Sequence, residues 1–247
     1  MAQKNNLPPR QRLIVAADPP RHLDGDDAYD WTMRLAGQLA GTGVIIKVNT
    51  VLRDNGYRLI HELNGLGLLV FADLKLNDIP NTMANDGRRL HRHKPYIVTA
   101  MCSAGVAGLS ALKRELPDTE VLGVTTLTSL KEEDTQAMFG CSIQTNTLRM
   151  ASQAALAHID GLISAPTDLA MLRESFGEDR FSLNTPGVRP AWAQVRGDDQ
   201  NAKRTMTPAE AIRAGADRIV VGRPITQAED RHEAVQRTLD EIAEAAA

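Results

Sequence analysis

The feature of this sequence that most limits its possible folds is a series of eight short apolar runs that recur along almost the whole chain. Each run is nearly continuously apolar instead of alternating between apolar and polar residues, which is typical of parallel strands covered on both faces. The sequence therefore predicts eight parallel strands. They correspond to residues 12–18, 43–48, 68–75, 96–100, 121–127, 161–165, 180–187 and 218–224.

Stretches with helical character separate these runs. The segment "DDAYDWTMRLAGQLAG" begins with acidic residues and ends at Gly41, which are the usual start and stop signals of a helix. Further along the chain, Thr207, Pro208 and Glu210 have the residue types of an N-cap, a first helical position and the third position of a capping box. The Ala- and Glu-rich residues 227–247 predict a closing helix.

The alternation of strands with helices predicts a single-domain α/β fold, a (β/α)8 or TIM barrel, over residues 12–247. Residues 1–11 are polar and contain prolines, so we expect a flexible lead-in there. A doubly wound open sheet is the alternative, but no Gly-x-Gly-x-x-Gly motif follows the first predicted strand.

Composition and charge exclude several classes of function. The formal net charge is −3 and no Lys/Arg run exceeds two residues, which argues against nucleic acid as a partner. The apolar stretch near the N-terminus, residues 13–17, is too short for a signal peptide or a membrane span. Cys102 and Cys141 lack the spacing of metal ligands and fit a reducing compartment. We therefore expect a cytoplasmic protein without a membrane anchor or a metal site.

Polar residues collect where the predicted strands end. In a TIM barrel the catalytic residues lie at the carboxyl-terminal ends of the strands, so we expect these side chains to meet at one opening. They are Asp18, Lys47, Asp73, Lys75, Thr128, Ser129, residues 185–187 and the pair Gly222 and Arg223.

The densest group of charges lies in "FADLKLNDIPNTM", residues 71–83. Side chains two apart in an extended strand point to the same side, which brings Asp73 and Lys75 together. Lys47 ends the neighbouring strand and can approach Asp73 laterally, while Asp78 lies beyond the strand. A structural ion pair is the alternative interpretation. Buried charge clusters contribute little net stability, which favours a catalytic role.

The segment "DLKLNDIPNTM" resembles the Asp-x-Lys-x-x-Asp-Ile-Pro-Asn-Thr signature of the orotidine 5′-phosphate decarboxylase family. Matching segments extend over nearly the whole chain and include "LIVAADPP", "IIKV", "GVTTLTSL", "NTPGVRP", "GDDQ" and "VVGRPIT". The resemblance implies a cofactor-free decarboxylation of orotidine 5′-monophosphate to UMP, the last step of de novo pyrimidine nucleotide synthesis.

The resemblance also implies roles for individual residues. Lys75 is expected to donate the proton to C6 of the pyrimidine, Asp73 and Asp78 to flank it, and Lys47 to complete the charge network. A homodimer with shared sites is implied, in which Asp78 and Thr82 come from the neighbouring subunit. The other substrate-binding residues implied are Asp18 at the ribose, Thr128 and Ser129 at the pyrimidine, Arg189, Gln200, Gly222 and Arg223 at the phosphate, and Pro186 and Lys47. Residues 191–204 are expected to close over the phosphate.

Two segments depart from the family pattern. Thr99, in "VTAMCSAG", stands where many bacterial members carry a histidine, and "VNTVLRDNG" replaces a glutamate-containing segment.

Two other functions remain open. One is a Mg²⁺-dependent sugar-phosphate decarboxylase or aldolase of the same barrel group, such as a 3-keto-gulonate-phosphate decarboxylase. The other is a catalytically silent nucleotide-binding barrel. The "IPNT" and "LTS" segments favour the nucleotide, and the presence of all four charged residues favours an enzyme.

Overall fold

The chain folds into a closed barrel of eight parallel strands, seen in a computed structural model that describes residues 7–193 and 205–246. Each strand pairs with the next along the chain, and the last pairs with the first. Every predicted apolar run contains or overlaps one strand, so the predicted (β/α)8 barrel is confirmed. The strands are β1 (Leu13–Ala16), β2 (Ile45–Val48), β3 (Leu69–Leu76), β4 (Ile97–Met101), β5 (Glu120–Val124), β6 (Gly161–Ile163), β7 (Ser182–Thr185) and β8 (Arg218–Val221).

Helices follow each strand and form the outer layer of the barrel. Among residues 7–193 and 205–246, no helix combines the length and the apolar character needed to cross a bilayer. Short 3₁₀ turns occur at Pro9–Arg12, Cys102–Ala104, Pro166–Asp168 and Ala191–Ala193. The α-helices are α1 (Gly25–Leu39), α2 (Thr50–Asn55), α3 (Arg58–Gly65), α4 (Pro80–His91), α5 (Gly105–Glu115), α6 (Glu132–Phe139), α7 (Ile143–Leu156), α8 (Leu169–Phe176), α9 (Pro208–Arg213), α10 (Arg223–Thr226) and α11 (Arg231–Ala246).

The local signals read from the sequence explain several helix ends. The Thr207 hydroxyl accepts a hydrogen bond from the backbone N–H of Glu210 at 3.2 Å, and the Glu210 carboxylate accepts one from the Thr207 N–H at 2.8 Å. This is the predicted capping box of α9. The closing helix begins at Arg231 and not at residue 227, because the single turn of α10 and a short connection come first.

Two apolar layers hold the barrel together. The larger one lies between the strands and the helices and includes Val15, Ile46 and Val98. The smaller one fills the inside of the barrel, as packed side chains do in this fold. It consists of Ile14, Ala16, Ile45, Phe71, Ile97, Leu122 and Val220, with Leu69, Tyr96 and Ile163 packed against them.

Polar side chains lie among the inward-facing residues near the amino-terminal ends of the strands. The guanidinium of Arg218 pairs with the carboxylate of Glu120 at 2.9 Å and lies 5.8 Å from the centre of the Tyr96 ring. Ser182 also donates to Glu120. The ion pair and the apolar inner layer therefore form a floor beneath the carboxyl-terminal ends of the strands.

Strand β3 departs from regular geometry at its charged end. Ala72 pairs with Val98 and Leu76 with Ala100, so residues 73–75 of β3 lie opposite the single residue Thr99 of β4. Lys75 has a φ of 50°, in the left-handed region that costs a residue with a side chain about 1 kcal/mol or more. The expectation of a fully extended strand through Lys75 was therefore wrong, because the pairing with β4 forces a bulge at this point.

Candidate active site

A cavity of about 680 Å³ opens at the carboxyl-terminal ends of the strands. Its size is in the range of pockets that enclose small molecules. Its floor includes Ala16, Phe71 and Val220 of the inner apolar layer. Nine of the residues predicted for the site line this cavity: Asp18, Lys47, Asp73, Lys75, Thr128, Pro186, Arg189, Gly222 and Arg223.

The carboxylate of Asp73 is the centre of a charge network on one wall of the cavity. The ammonium of Lys75 lies 2.7 Å from both of its oxygens. The ammonium of Lys47 lies 3.4 Å from Asp73 Oδ2 and 3.3 Å from Asp18 Oδ1. Acid and base therefore alternate from β1 to β3 in the order Asp18, Lys47, Asp73, Lys75. The strand pairing of a closed barrel brings these four side chains together.

The environment of Asp73 keeps its carboxyl group ionised. Burial alone would raise the pKa of Asp73, which is only 7% exposed. The positive charges of Lys47 and Lys75 and the hydrogen bonds from Lys75 and Thr99 outweigh that effect, so the pKa of Asp73 lies below its ordinary value of 3.8. The site thus holds a fixed negative charge between two ammonium groups at neutral pH.

A second wall of the cavity comes from the segments after β5, β7 and β8. Arg189 and Arg223 both line it, and a guanidinium group can grip a phosphate with two parallel hydrogen bonds. The backbone of Arg189 is fixed by its N–H, which donates to the Met206 carbonyl at 2.9 Å. Gly222 leaves the backbone at the end of β8 open to the cavity, since it has no side chain. This wall is suited to an anionic group.

Three predicted site residues of the described part of the chain do not line the cavity, and a fourth is not among the described residues. Asp78 is exposed and accepts a hydrogen bond from the Ile79 N–H at 2.7 Å. Thr82 lies in the first turn of α4, and Ser129 is exposed. Gln200, like residues 194–204 of the predicted closing loop, lies outside the described residues.

The cavity also has polar neighbours that the site prediction did not include. Thr99 is fully buried and donates to Asp73 Oδ1 at 2.9 Å. Asn49 lies 3.5 Å from Asp73 Oδ2 through its side-chain nitrogen. Thr126 lines the cavity and accepts hydrogen bonds from Asn146 and Thr147, both at 2.9 Å. The available signal was a polar residue inside an otherwise apolar strand or directly after it, which Thr99 and Thr126 share.

The fold and the site together define a class: a TIM-barrel enzyme with a lysine–carboxylate network that faces a wall for an anionic group. The chain belongs to the orotidine 5′-phosphate decarboxylase / HUMPS family, because the sequence model of that family matches residues 11–238. This confirms the family that the motifs predicted.

Individual relatives agree with this assignment. Orotidine 5′-phosphate decarboxylase from Syntrophus aciditrophicus is 36% identical over 253 residues, which cover 98% of this chain and 96% of the relative. The same enzyme from Heliobacterium modesticaldum is 35% identical and covers 95% of this chain and 97% of the relative. The crystal structure of orotidine 5′-phosphate decarboxylase from Lactobacillus acidophilus matches with a TM-score of 0.78 at 30% identity, over 94% of this chain and 99% of that chain.

Proposed function

We propose that this chain decarboxylates orotidine 5′-monophosphate to UMP and carbon dioxide without a cofactor, as the last step of de novo pyrimidine nucleotide synthesis. The family match and the relatives confirm the predicted carboxy-lyase. The observation that carries the assignment of roles is the position of the Lys75 ammonium, 2.7 Å from both oxygens of Asp73 at the edge of the cavity.

Lys75 supplies the proton in the proposed reaction. When the bond between C6 and the carboxylate breaks, its electron pair stays on C6 in the plane of the ring, where no conjugated system can accept it. A nearby ammonium stabilises this developing negative charge and then delivers a proton, so that a C6–H bond forms as carbon dioxide leaves. Solvent returns the proton to the Lys75 amine at the end of the cycle.

Asp73 has two roles in this proposal. It holds the Lys75 ammonium in place through two charged hydrogen bonds. It also places a negative charge beside the position of the substrate carboxylate, and this repulsion disappears when that group leaves as neutral carbon dioxide. Lys47 balances the negative charge of Asp73 from the other side and connects it to Asp18.

Binding of distant parts of the substrate supplies the rest of the rate enhancement. One acid group accelerates a reaction by about 10²–10⁴-fold, so a slow reaction needs further transition-state stabilisation from remote binding energy. Arg189, Gly222 and Arg223 are the proposed phosphate-binding residues on the described part of the chain, and Gln200 joins them by resemblance. Asp18 is assigned to the ribose and Thr128 and Ser129 to the pyrimidine, and Pro186 is a further substrate-binding residue.

The electrostatics of the site argue against the Mg²⁺-dependent alternative. Both ammonium groups lie within 3.4 Å of the Asp73 carboxylate, so a divalent cation on that carboxylate would meet two positive charges. Lysine also carries no lone pair for a metal while it is protonated. The silent-binder alternative has no support, since Lys47, Asp73, Lys75 and Asp78 are all present.

A homodimer with shared sites is part of the proposal. Asp78 and Thr82 do not line the cavity of their own subunit, which is consistent with their entering the site of a second copy. Ile79, next to Asp78, is 66% exposed, so an apolar side chain lies at the surface beside Asp78, where the proposed second subunit would contact it. A cytoplasmic location is also proposed, and the free thiols of Cys102 and Cys141 agree with a reducing compartment.

The test is to follow the absorbance of orotidine 5′-monophosphate with purified protein, with and without EDTA. The wild-type protein should consume the nucleotide equally in both conditions. Lys75→Ala should lower kcat by at least about 10³-fold through loss of the proton donor. Lys94→Ala is a matched control, because Lys94 is exposed and has a similar left-handed backbone, with φ of 52°. Inactive wild-type protein, inhibition by EDTA, or full turnover by Lys75→Ala would overturn the proposal.

A further inference from the structure

We propose that Thr99 is a positioning residue that sets the geometry of both Asp73 and Lys75 through one hydroxyl group. The inference rests on the proposed function for its effect on turnover. Thr99 itself does not line the cavity and touches the reaction only through these two residues.

The hydroxyl of Thr99 makes two hydrogen bonds, one as a donor and one as an acceptor. It donates its proton to Asp73 Oδ1 at 2.9 Å. It accepts a hydrogen bond from the backbone N–H of Lys75 at 3.0 Å. A hydroxyl has one proton to donate and two lone pairs, so both bonds form without conflict. Thr99 is fully buried, so water cannot replace either bond without rearrangement.

The bulge in β3 explains why this hydroxyl is needed. Thr99 is the only β4 residue opposite residues 73–75 of β3. At the bulge, where the regular pairing between β3 and β4 is interrupted, the N–H of Lys75 donates to the side-chain hydroxyl of Thr99. A buried backbone N–H without an acceptor is rare in folded proteins. The Thr99 hydroxyl therefore supplies the acceptor that the interrupted strand pairing does not provide.

The same bond supports the left-handed backbone of Lys75. A residue with a side chain keeps such a conformation only where its surroundings enforce it. The Thr99 hydroxyl fixes the N–H of Lys75, while Asp73 fixes the ammonium at the other end of the side chain. Because Thr99 is bonded to Asp73 as well, a single atom aligns the proton donor with its neighbouring carboxylate.

Threonine suits this role better than other residues of its size. Its β-branch restricts χ1, so the hydroxyl stays aimed at β3. Valine has nearly the same shape but can neither donate nor accept a hydrogen bond. Serine keeps the hydroxyl and loses only the methyl group. These two substitutions separate the hydrogen bonds from the packing at this position.

We expect Thr99→Val to lower kcat by about 10- to 100-fold, because small displacements of reacting groups have effects of that size. KM should change by less than about threefold, since the substrate-binding wall is untouched. Thr99→Ser keeps the hydroxyl, so its kcat should lie within about threefold of the wild-type value. Thr119→Val is the matched control: Thr119 is also buried and donates to the Pro95 carbonyl at 2.9 Å, remote from the cavity. Its kcat should equal that of the wild type.

A second measurement tests the hydrogen bond from Thr99 to Asp73 without measuring turnover. The ¹³Cγ signal of Asp73 is followed by NMR as the pH is lowered, in wild-type protein and in Thr99→Val. Loss of a hydrogen bond to the carboxylate should move the titration of Asp73 to higher pH, while Thr119→Val should leave it unchanged. This result does not depend on which substrate the enzyme accepts.

The outcomes separate failure of this inference from failure of the proposed function. If wild-type protein is inactive on orotidine 5′-monophosphate, the proposed function fails and the Asp73 titration still tests Thr99. If the wild type is active and Thr99→Val has unchanged kcat and an unchanged Asp73 titration, the inference is overturned. If Thr99→Val does not fold, Thr99→Cys takes its place, because a thiol fills similar volume and hydrogen-bonds only weakly. Wild-type kcat in Thr99→Cys would then overturn the inference.

Discussion

Asp73 is the residue on which the candidate site depends most, since four side chains place donors within 3.5 Å of its carboxylate. A buried carboxylate without partners would be costly. Here two ammonium groups, an amide and a hydroxyl replace the lost hydration. These partners stabilise the folded protein only while the Asp73 carboxylate is ionised, so their contribution can be measured from the pH dependence of the free energy of unfolding.

This leads to a prediction for Asp73→Asn. The pKa of Asp73 is lower in the folded protein than its ordinary value of 3.8. The ionised carboxylate therefore contributes its full stabilisation above pH 3.8, and this stabilisation is lost as the pH falls through the pKa of the folded protein. The difference in unfolding free energy between wild type and variant should be constant between about pH 5 and pH 7 and should shrink as the pH falls below about 4. Urea unfolding across this range measures it. A difference that grows toward low pH would contradict the lowered pKa.

Residues of the charge network could be predicted from the sequence, but their backbone geometry could not. Asp73 and Lys75 stand two apart in a run that reads as a strand, and this spacing was enough to put both at the cavity. The left-handed φ of Lys75 and the contact to Thr99 arise from how β3 pairs with β4. That pairing joins residues more than 20 positions apart, so no local pattern encodes it.

At the scale of elements, local signals predicted six of the helices and missed others, among them α4 and the short α10. The capping box at Thr207 marked the start of α9 correctly. Helix α10 was not predicted, because Arg223–Thr226 is a single turn and has no room for helical periodicity. Its position directly after β8 comes from the closing of the barrel and not from a pattern of its own.

The cap of α9 supports a prediction about stability. Thr207→Ala removes the acceptor for the Glu210 N–H and should lower the free energy of unfolding by about 1 kcal/mol. Because neither residue lines the cavity, kcat should not change. Thermal or urea unfolding measures the loss, and Thr207→Ser should regain most of it. Equal stability of Thr207→Ala and wild type would show that the capping bond contributes nothing.

At the scale of the whole molecule, the position of Asp78 supports the proposal that two chains contribute to each site. Lys75 lies at the cavity of its own subunit, whereas Asp78 is exposed and lies away from it. No local pattern in the sequence encodes the proposed sharing, because the proposed contact joins residues of two separate chains. The resemblance to the family was the only guide to it.

The proposed sharing of sites between two subunits predicts complementation between inactive variants. Lys75→Ala and Asp78→Ala should each be inactive alone. After the two are mixed, dissociated and allowed to reassociate, random pairing makes half of the dimers hybrids, and each hybrid has one site with both residues intact. Activity should then return to about one quarter of the wild-type value in a dimer with two-fold symmetry.

Native mass spectrometry would verify that hybrids form, and each variant taken through the same treatment alone is the control. Hybrids without recovered activity would show that Lys75 and Asp78 act within one subunit, or that Asp78 does not take part.

The floor of the barrel has a consequence for the gas produced. Beneath the cavity, the inner apolar layer and the Arg218–Glu120 ion pair fill the axis, so the chamber is a dead end. Carbon dioxide released beside Lys75 therefore leaves through the same opening of the cavity by which the nucleotide enters. The two products thus share one exit, and whatever covers the mouth during the reaction also governs when the gas escapes.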